Sequence, residues 1–137
     1  MPIMKEFTVQ MEDRPGTLGK LCRTLSDRGV NIVAFQANPG EKGKSTVRLV
    51  TDNPNATEAV LESEHTTHTE SQVAEAKLPN RSGALAGAAV KLGEGNININ
   101  YAYAGIEPGT SAPVVIFGVA DAAQASNILD QVAASAA

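Results

Sequence analysis

The chain has 137 residues, enough for one ordinary domain or for two very small units sharing a core. Eleven Lys+Arg against fifteen Asp+Glu leave a formal charge of −4, which excludes the broadly basic surface of a general nucleic-acid binder. Hydrophobic residues make 42% of the chain and tryptophan is absent, so the core must be built from aliphatic and small side chains.

A single cysteine, Cys22, excludes an intrachain disulfide and a cysteine-only zinc site. It fits a reducing, cytoplasmic setting. The first residues carry no leader-like apolar run after a basic segment, and no apolar stretch is long enough for a membrane span.

Ile3, Phe7, Val9 and Met11 alternate roughly and predict a strand that ends at the turn Asp13-Arg14-Pro15-Gly16. From Thr17 the period changes, and Leu18, Leu21, Cys22 and Leu25 predict an amphipathic helix closed by Gly29. Ile32, Val33, Ala34 and Phe35 predict a strand over residues 31–38. The glycine-rich connection 39–44 then joins it to a second β-rich run at 46–51 as a hairpin. Asp52-Asn53-Pro54-Asn55 offers caps for a short helix over 56–64, with Ala59 and Val60 inward. A weak strand is expected at 66–71 and a better one at 73–78.

At Asn80-Arg81-Ser82-Gly83-Ala84-Leu85 the chain repeats itself. Arg14, Gly16, Leu18, Leu25, Asn31 and Ile32 are matched by Arg81, Gly83, Leu85, Leu92, Asn98 and Ile99 at one offset of 67 residues. Leu85, Ala88, Ala89 and Leu92 predict a helix face, and Ile97, Ile99, Tyr101 and Tyr103 one face of a strand. A further strand is expected at 114–119. Asp121 then caps a helix bearing Ala125, Ile128, Leu129 and Val132. The reading is therefore α+β: two βαββαβ units, residues 1–71 and 72–137, each an antiparallel sheet covered by two helices. The second lacks an obvious final strand, and that edge requires a partner. The sheet face away from the helices must be covered too, by a second unit or a second chain.

These residues resemble the ACT domain, a ferredoxin-like ligand-sensing module of amino-acid metabolism. The likeness rests on Asp13-Arg14-Pro15-Gly16-Thr17-Leu18 entering a helix and on Gly29-Val30-Asn31-Ile32 opening the next strand. It is repeated at Asn80-Arg81-Ser82-Gly83-Ala84-Leu85 and at Asn98-Ile99, so the whole resembles a tandem pair. The resemblance implies a non-catalytic regulator, without a cofactor, that binds a small effector such as an amino acid at unit interfaces. It implies a regulated enzyme or other protein as partner, while the apolar strand faces and the incomplete second unit favour a homodimer. It carries over Gly16 and Asn31, and Gly83 and Asn98, as ligand contacts. Arg14, Thr17, Leu18 and Ile32 stand beside the first pair, and Ala84, Leu85 and Ile99 beside the second.

The chemistry of the residues is compatible with that assignment. N–H groups that open a helix after Gly16 or Gly83 can receive a carboxylate, and an asparagine amide offers both donors and an acceptor. Together they would read the zwitterionic part of an amino acid. Two departures separate the halves: Ser82 stands where the first has Pro15, and Asn96 where it has Gly29.

Blander readings compete for the same residues. The glycines can be turn residues only, the asparagines can satisfy local backbone, and Arg14 and Arg81 can be ordinary surface arginines. Cys22 suits a core position. Tyr101 and Tyr103 suit an interface, a ligand pocket or simple packing. His65 and His68, beside Glu64 and Glu70, are too few for a zinc site unless an oligomer completes it. Two alternatives to the sensor remain, an interaction module that regulates a partner without a ligand and, with no evident nucleophile or base, a small enzyme.

Overall fold

The computed structural model describes residues 2–136, with side chains described as far as residue 131. Val132, expected to face inward, lies outside the described side chains. The element order is β1 (Ile3–Glu12), α1 (Thr17–Asp27), β2 (Ile32–Pro39), β3 (Lys44–Thr51), α2 (Pro54–Ser63), β4 (His68–Lys77), α3 (Ala84–Glu94), β5 (Tyr101–Ile106), β6 (Pro113–Gly118) and α4 (Ala122–Ala136). The fold is α+β and ferredoxin-like in kind. Two compact units divide it: Lys5–Ser71, and a second containing residues 2–4 together with the chain from Gln72 onward. Strands β1 and β4 thus each contribute residues to both.

In the unit Lys5–Ser71, β3 pairs antiparallel with β1 on one side and β2 on the other. Strand β4 lies beside β1, and Thr67 just before it accepts from the Gln10 N–H through its carbonyl at 2.9 Å. Phe7 and Val9 of β1 and Val47 and Leu49 of β3 pack against Leu21 and Leu25 of α1 and Val60 and Leu61 of α2. Helix α2 begins as the sequence suggests, with Pro54 at its first turn and the Asn53 side chain accepting from the Ala56 N–H at 3.1 Å. Its inward row is Thr57, Val60 and Leu61, so Ala59, expected inside, is exposed. A threonine can hold that buried place because its hydroxyl bonds the Thr51 hydroxyl at 2.8 Å and the Asn53 carbonyl at 2.9 Å.

In the other unit, β6 pairs antiparallel with both β4 and β5. Ala74 and Ala76 of β4 and Phe117 of β6 pack against Ala88 and Leu92 of α3 and Ala125 and Leu129 of α4. The Asp121 carboxylate accepts from the Gln124 N–H at 3.0 Å, capping α4. Residues 2–4 lie at the edge of β4, where the Glu75 N–H donates to the Pro2 carbonyl at 3.1 Å. The unit whose own segment ends in a helix is thereby supplied with a closing strand segment from the start of the chain. Val114 and Ile116, on the β6 face away from α3 and α4, are fully buried, so both faces of that strand are covered.

Three further expectations change. The strands expected at 66–71 and 73–78 are one continuous β4, because nothing between them breaks the extended backbone. The strand expected from Ile97 begins only at Tyr101, although Ile97 is buried and Ile99 packs beside it. In α3 the inward row is Ala84, Ala88 and Leu92, four residues apart, which turns Leu85 out to 53% exposure.

Helices α1, α2 and α3 end in one motif. The residue after each C-cap is left-handed: Gly29 at φ 72°, His65 at 52° and Asn96 at 60°. The next N–H reaches back to a carbonyl of the last turn, Val30 to Leu25, Thr66 to Leu61 and Ile97 to Leu92. Asn96 therefore does the work of Gly29, as its tolerance of this conformation suggests. His65 bears the largest side chain of the three, and His65→Gly is expected to stabilise the protein by about 1 kcal/mol, checked by urea denaturation.

Glu75 is almost fully buried, and it sits in register with Ile116 on the face away from the helices. Burial pushes its carboxyl above the usual range; Lys77 opposes this and Glu107 adds to it. A carboxyl raised in the folded state contributes stability that is complete below its unfolded pKa and is lost as pH rises through the folded value. Glu75→Gln is therefore expected to raise stability at neutral pH, with the gain vanishing below about pH 4, in paired denaturation curves.

Candidate functional site

Strand β1 runs out at Glu12 into a turn tied down on several sides. The Asp13 N–H donates to the Gly43 carbonyl at 2.9 Å, joining the turn to the β2–β3 connection. The Thr17 hydroxyl donates to the carbonyls of Glu12 at 2.8 Å and Arg14 at 3.0 Å. Arg14 Nε donates to the Glu12 carboxylate. That hydrogen bond, with the charges of Arg14 and Lys44, holds the Glu12 carboxyl below its ordinary range.

Gly16 is the N-cap of α1, at φ 94°, and no side chain caps the helix. A Cβ placed there would meet nothing within 4 Å, so the backbone conformation is what demands glycine. Gly83 repeats the arrangement at φ 88° before α3, again without a side-chain cap. Both helices thus start with N–H groups that no capping side chain has taken.

Beside the first turn is a cavity of about 230 Å³. Asp13, Arg14, Gly16, Thr17 and Leu18 line one side, and Asn38, Pro39 and Ser45 of the hairpin the other. One acidic side chain and one uncapped helix start therefore face the same space. Asp13, Asn38 and Ser45 were not among the residues expected to bind. The signal available for the latter two was the hairpin, whose register pairs Pro39 with Ser45 at the end of the sheet where β1 stops.

Asn31 and Ile32 are elsewhere. Ile32 pairs with Thr51 whereas Pro39 pairs with Ser45, so about 20 Å of strand separates Asn31 from the turn at Gly16. Within one unit these residues cannot grip the two ends of one amino acid. The Asn31 backbone is locked instead to Asp52, its N–H donating to the carboxylate at 2.9 Å and its carbonyl accepting from the Asp52 N–H at 3.0 Å.

The second unit has the same geometry. Gly83, Ala84 and the exposed Leu85 follow the Lys77 end of β4, while Asn98 and Ile99 precede β5 at the Gly118 end. The Asn98 amide donates to the Asn100 side chain at 2.9 Å. Tyr101 and Tyr103 stack with ring centroids 6.4 Å apart, and Tyr101 covers Gly118.

Burial raises the Cys22 thiol above its ordinary pKa, the opposite of an activated nucleophile. His68 packs its ring against Phe7 at 6.2 Å, and its Nδ1 lies 3.0 Å from the Thr66 carbonyl. Among the described residues, no group of three or more His, Cys, Asp or Glu is placed to hold a metal ion. No helix among them is long and apolar enough to cross a membrane.

Residues 6–64 match the ACT domain. The matched segment contains the whole of the Gly16 turn and its cavity, and the fold is ACT-related. Over 50 residues the chain is 42% identical to a D-3-phosphoglycerate dehydrogenase of Methanocaldococcus jannaschii, a match spanning 36% of this chain and 10% of that enzyme. Protein BT0572 from Bacteroides thetaiotaomicron superimposes with a TM-score of 0.81 at 19% identity, covering 94% of this chain and 88% of that one. The regulatory subunit of aspartate kinase from Thermus thermophilus, in a ligand-free form, superimposes with a TM-score of 0.63 at 14% identity, covering 94% and 91%.

Proposed function

We propose that this protein is a non-catalytic regulatory module of two tandem ACT-type units, residues 1–71 and 72–137, that binds an amino acid and modulates a partner enzyme. The carrying observation is the 230 Å³ cavity at the Gly16 turn, where an uncapped helix start and the Asp13 carboxylate line one space. The helix start suits the ligand's carboxylate and Asp13 its ammonium group. Arg14, Thr17 and Leu18 complete that wall. The likeness to the regulatory subunit of an aspartate kinase supports a regulatory rather than enzymatic role. We extend the reading to Gly83, Ala84 and Leu85 in the second unit. Asn31, Ile32, Asn98 and Ile99 enter as contacts that reach a ligand held by another copy of the chain, which fits a cytoplasmic homodimer.

Isothermal titration with single amino acids tests this. Binding that Asp13→Ala abolishes supports the site, and loss on Asn31→Ala as well supports sharing between copies. No binding of any amino acid would remove the reading. The second reading, a module that regulates a partner without a small ligand, is favoured by the Asn98 amide and the Arg14 guanidinium already having partners in their own unit. It expects partner regulation that no amino acid alters.

A further inference from the structure

A second cavity, of about 370 Å³, lies in the unit Lys5–Ser71 against a different face of α1. Lys20, Leu21 and Thr24 form one wall, Glu64 to Thr67 at the exit of α2 the other, with Gln10 and Met11 of β1 between them and Lys44 also contributing.

The polar groups lining it divide into those already engaged and those still open. Arg14 and Glu12 hold each other. The Thr17 and Thr24 hydroxyls donate to backbone carbonyls. The Gln10 carbonyl oxygen accepts from Thr46. Lys20 and Lys44 form no ion pair within the described residues, and the Thr66 and Thr67 hydroxyls form no hydrogen bond there. What remains open is two ammonium groups, two hydroxyls, the His65 ring and the Gln10 amide N–H, against the carboxylate of Glu64 and the Arg14-bound carboxylate of Glu12, whose charge also acts on Lys44. Such a lining is rich in donors and locally positive, on a chain whose net charge is −4.

We propose that this cavity binds a small hydroxylated metabolite through a polyvalent oxyanion, a phosphate ester or a polycarboxylate. The oxyanion lies between Lys20 and Lys44, with Thr66 and Thr67 donating to it, and a ligand hydroxyl donates to Glu64. Charge-assisted bonds to two ammonium groups supply the affinity, which falls with added salt. The cavity shares Arg14 and Thr17 with the one at Gly16 but is otherwise lined by different residues, and the proposal does not rest on amino-acid binding.

The test is amide NMR and calorimetry on the full chain at low salt, titrated separately with inorganic phosphate and with citrate. The expected result is saturable binding that perturbs amides of Lys20, Lys44, Thr66 and Thr67. The double variant Lys20→Ala, Lys44→Ala is expected to weaken it by about tenfold or more. Both lysines are exposed, so the fold survives the change, checked by far-UV circular dichroism. Arg23→Ala removes an exposed cation of α1 that does not line the cavity, and binding should be unchanged. Response to phosphate alone identifies a phosphate ester, and to citrate alone a polycarboxylate. No response to either anion, or an equal loss with Arg23→Ala, overturns the proposal.

Discussion

Phe7→Ala is expected to destabilise the protein by about 3–5 kcal/mol, whereas Phe35→Ala should cost only about 1 kcal/mol. Both residues are phenylalanines in registered strands of one sheet, and both sit opposite Leu49 of β3. Phe7 is completely buried in the cluster with Leu25, Leu49 and Val60, and its ring also contacts His68. Removing it leaves a hole that α1, α2 and β3, each fixed by its own contacts, cannot close. Phe35 is 54% exposed, so truncation removes much less packing. Equilibrium urea denaturation of the two variants measures the contrast. Equal losses would mean that β2 packs differently from the arrangement described.

Gly118→Ala is expected to cost about 1–3 kcal/mol and to unseat Tyr101. The two residues are registered partners on β6 and β5. A Cβ at position 118 would stand 2.2 Å from the Tyr101 ring, so the ring must swing away and leave its stack on Tyr103. The chain has two tyrosines and no tryptophan, which makes the tyrosine band of its near-UV spectrum specific for this pair. A changed near-UV circular dichroism spectrum should accompany the loss of stability. Adding Tyr101→Ala to Gly118→Ala should recover part of that loss, because the clash has gone. An unchanged spectrum in Gly118→Ala would contradict the packing of Tyr101 on Gly118.

Local signals in the sequence were strong wherever one residue decides the backbone. Asn53 and Pro54 start α2, Asp121 caps α4, and Gly29 and Asn96 close α1 and α3 in the same left-handed geometry. The repeat at Gly16 and Gly83 corresponds to two equivalent helix starts at φ 94° and 88°. Helix rotation was harder to read. Ala59 and Leu85 satisfy an apolar pattern, but the inward rows pass through Thr57 and the half-buried Ala84, residues whose small size or paired hydroxyl suits a close approach. The closing strand segment of the second unit was invisible because residues 2–4 and Glu75 are far apart along the chain.

The candidate site was half legible. Arg14, Gly16, Thr17 and Leu18 line one cavity, since a turn and the helix it opens are continuous in sequence. Asn31 belongs to the far end of the sheet, because β1 and β2 run the same way and the intervening helix carries the chain back before β2 begins. Asn38 and Ser45 reach the turn only through hairpin register, which depends on pairing between strands.

The amino-acid site at Gly16 is tested most directly by a thermal-shift screen of the twenty amino acids, with native mass recorded alongside. The expected result is a selective rise in melting temperature that disappears in Asp13→Ala. No shift with any amino acid, or a shift that Asp13→Ala leaves intact, would contradict it.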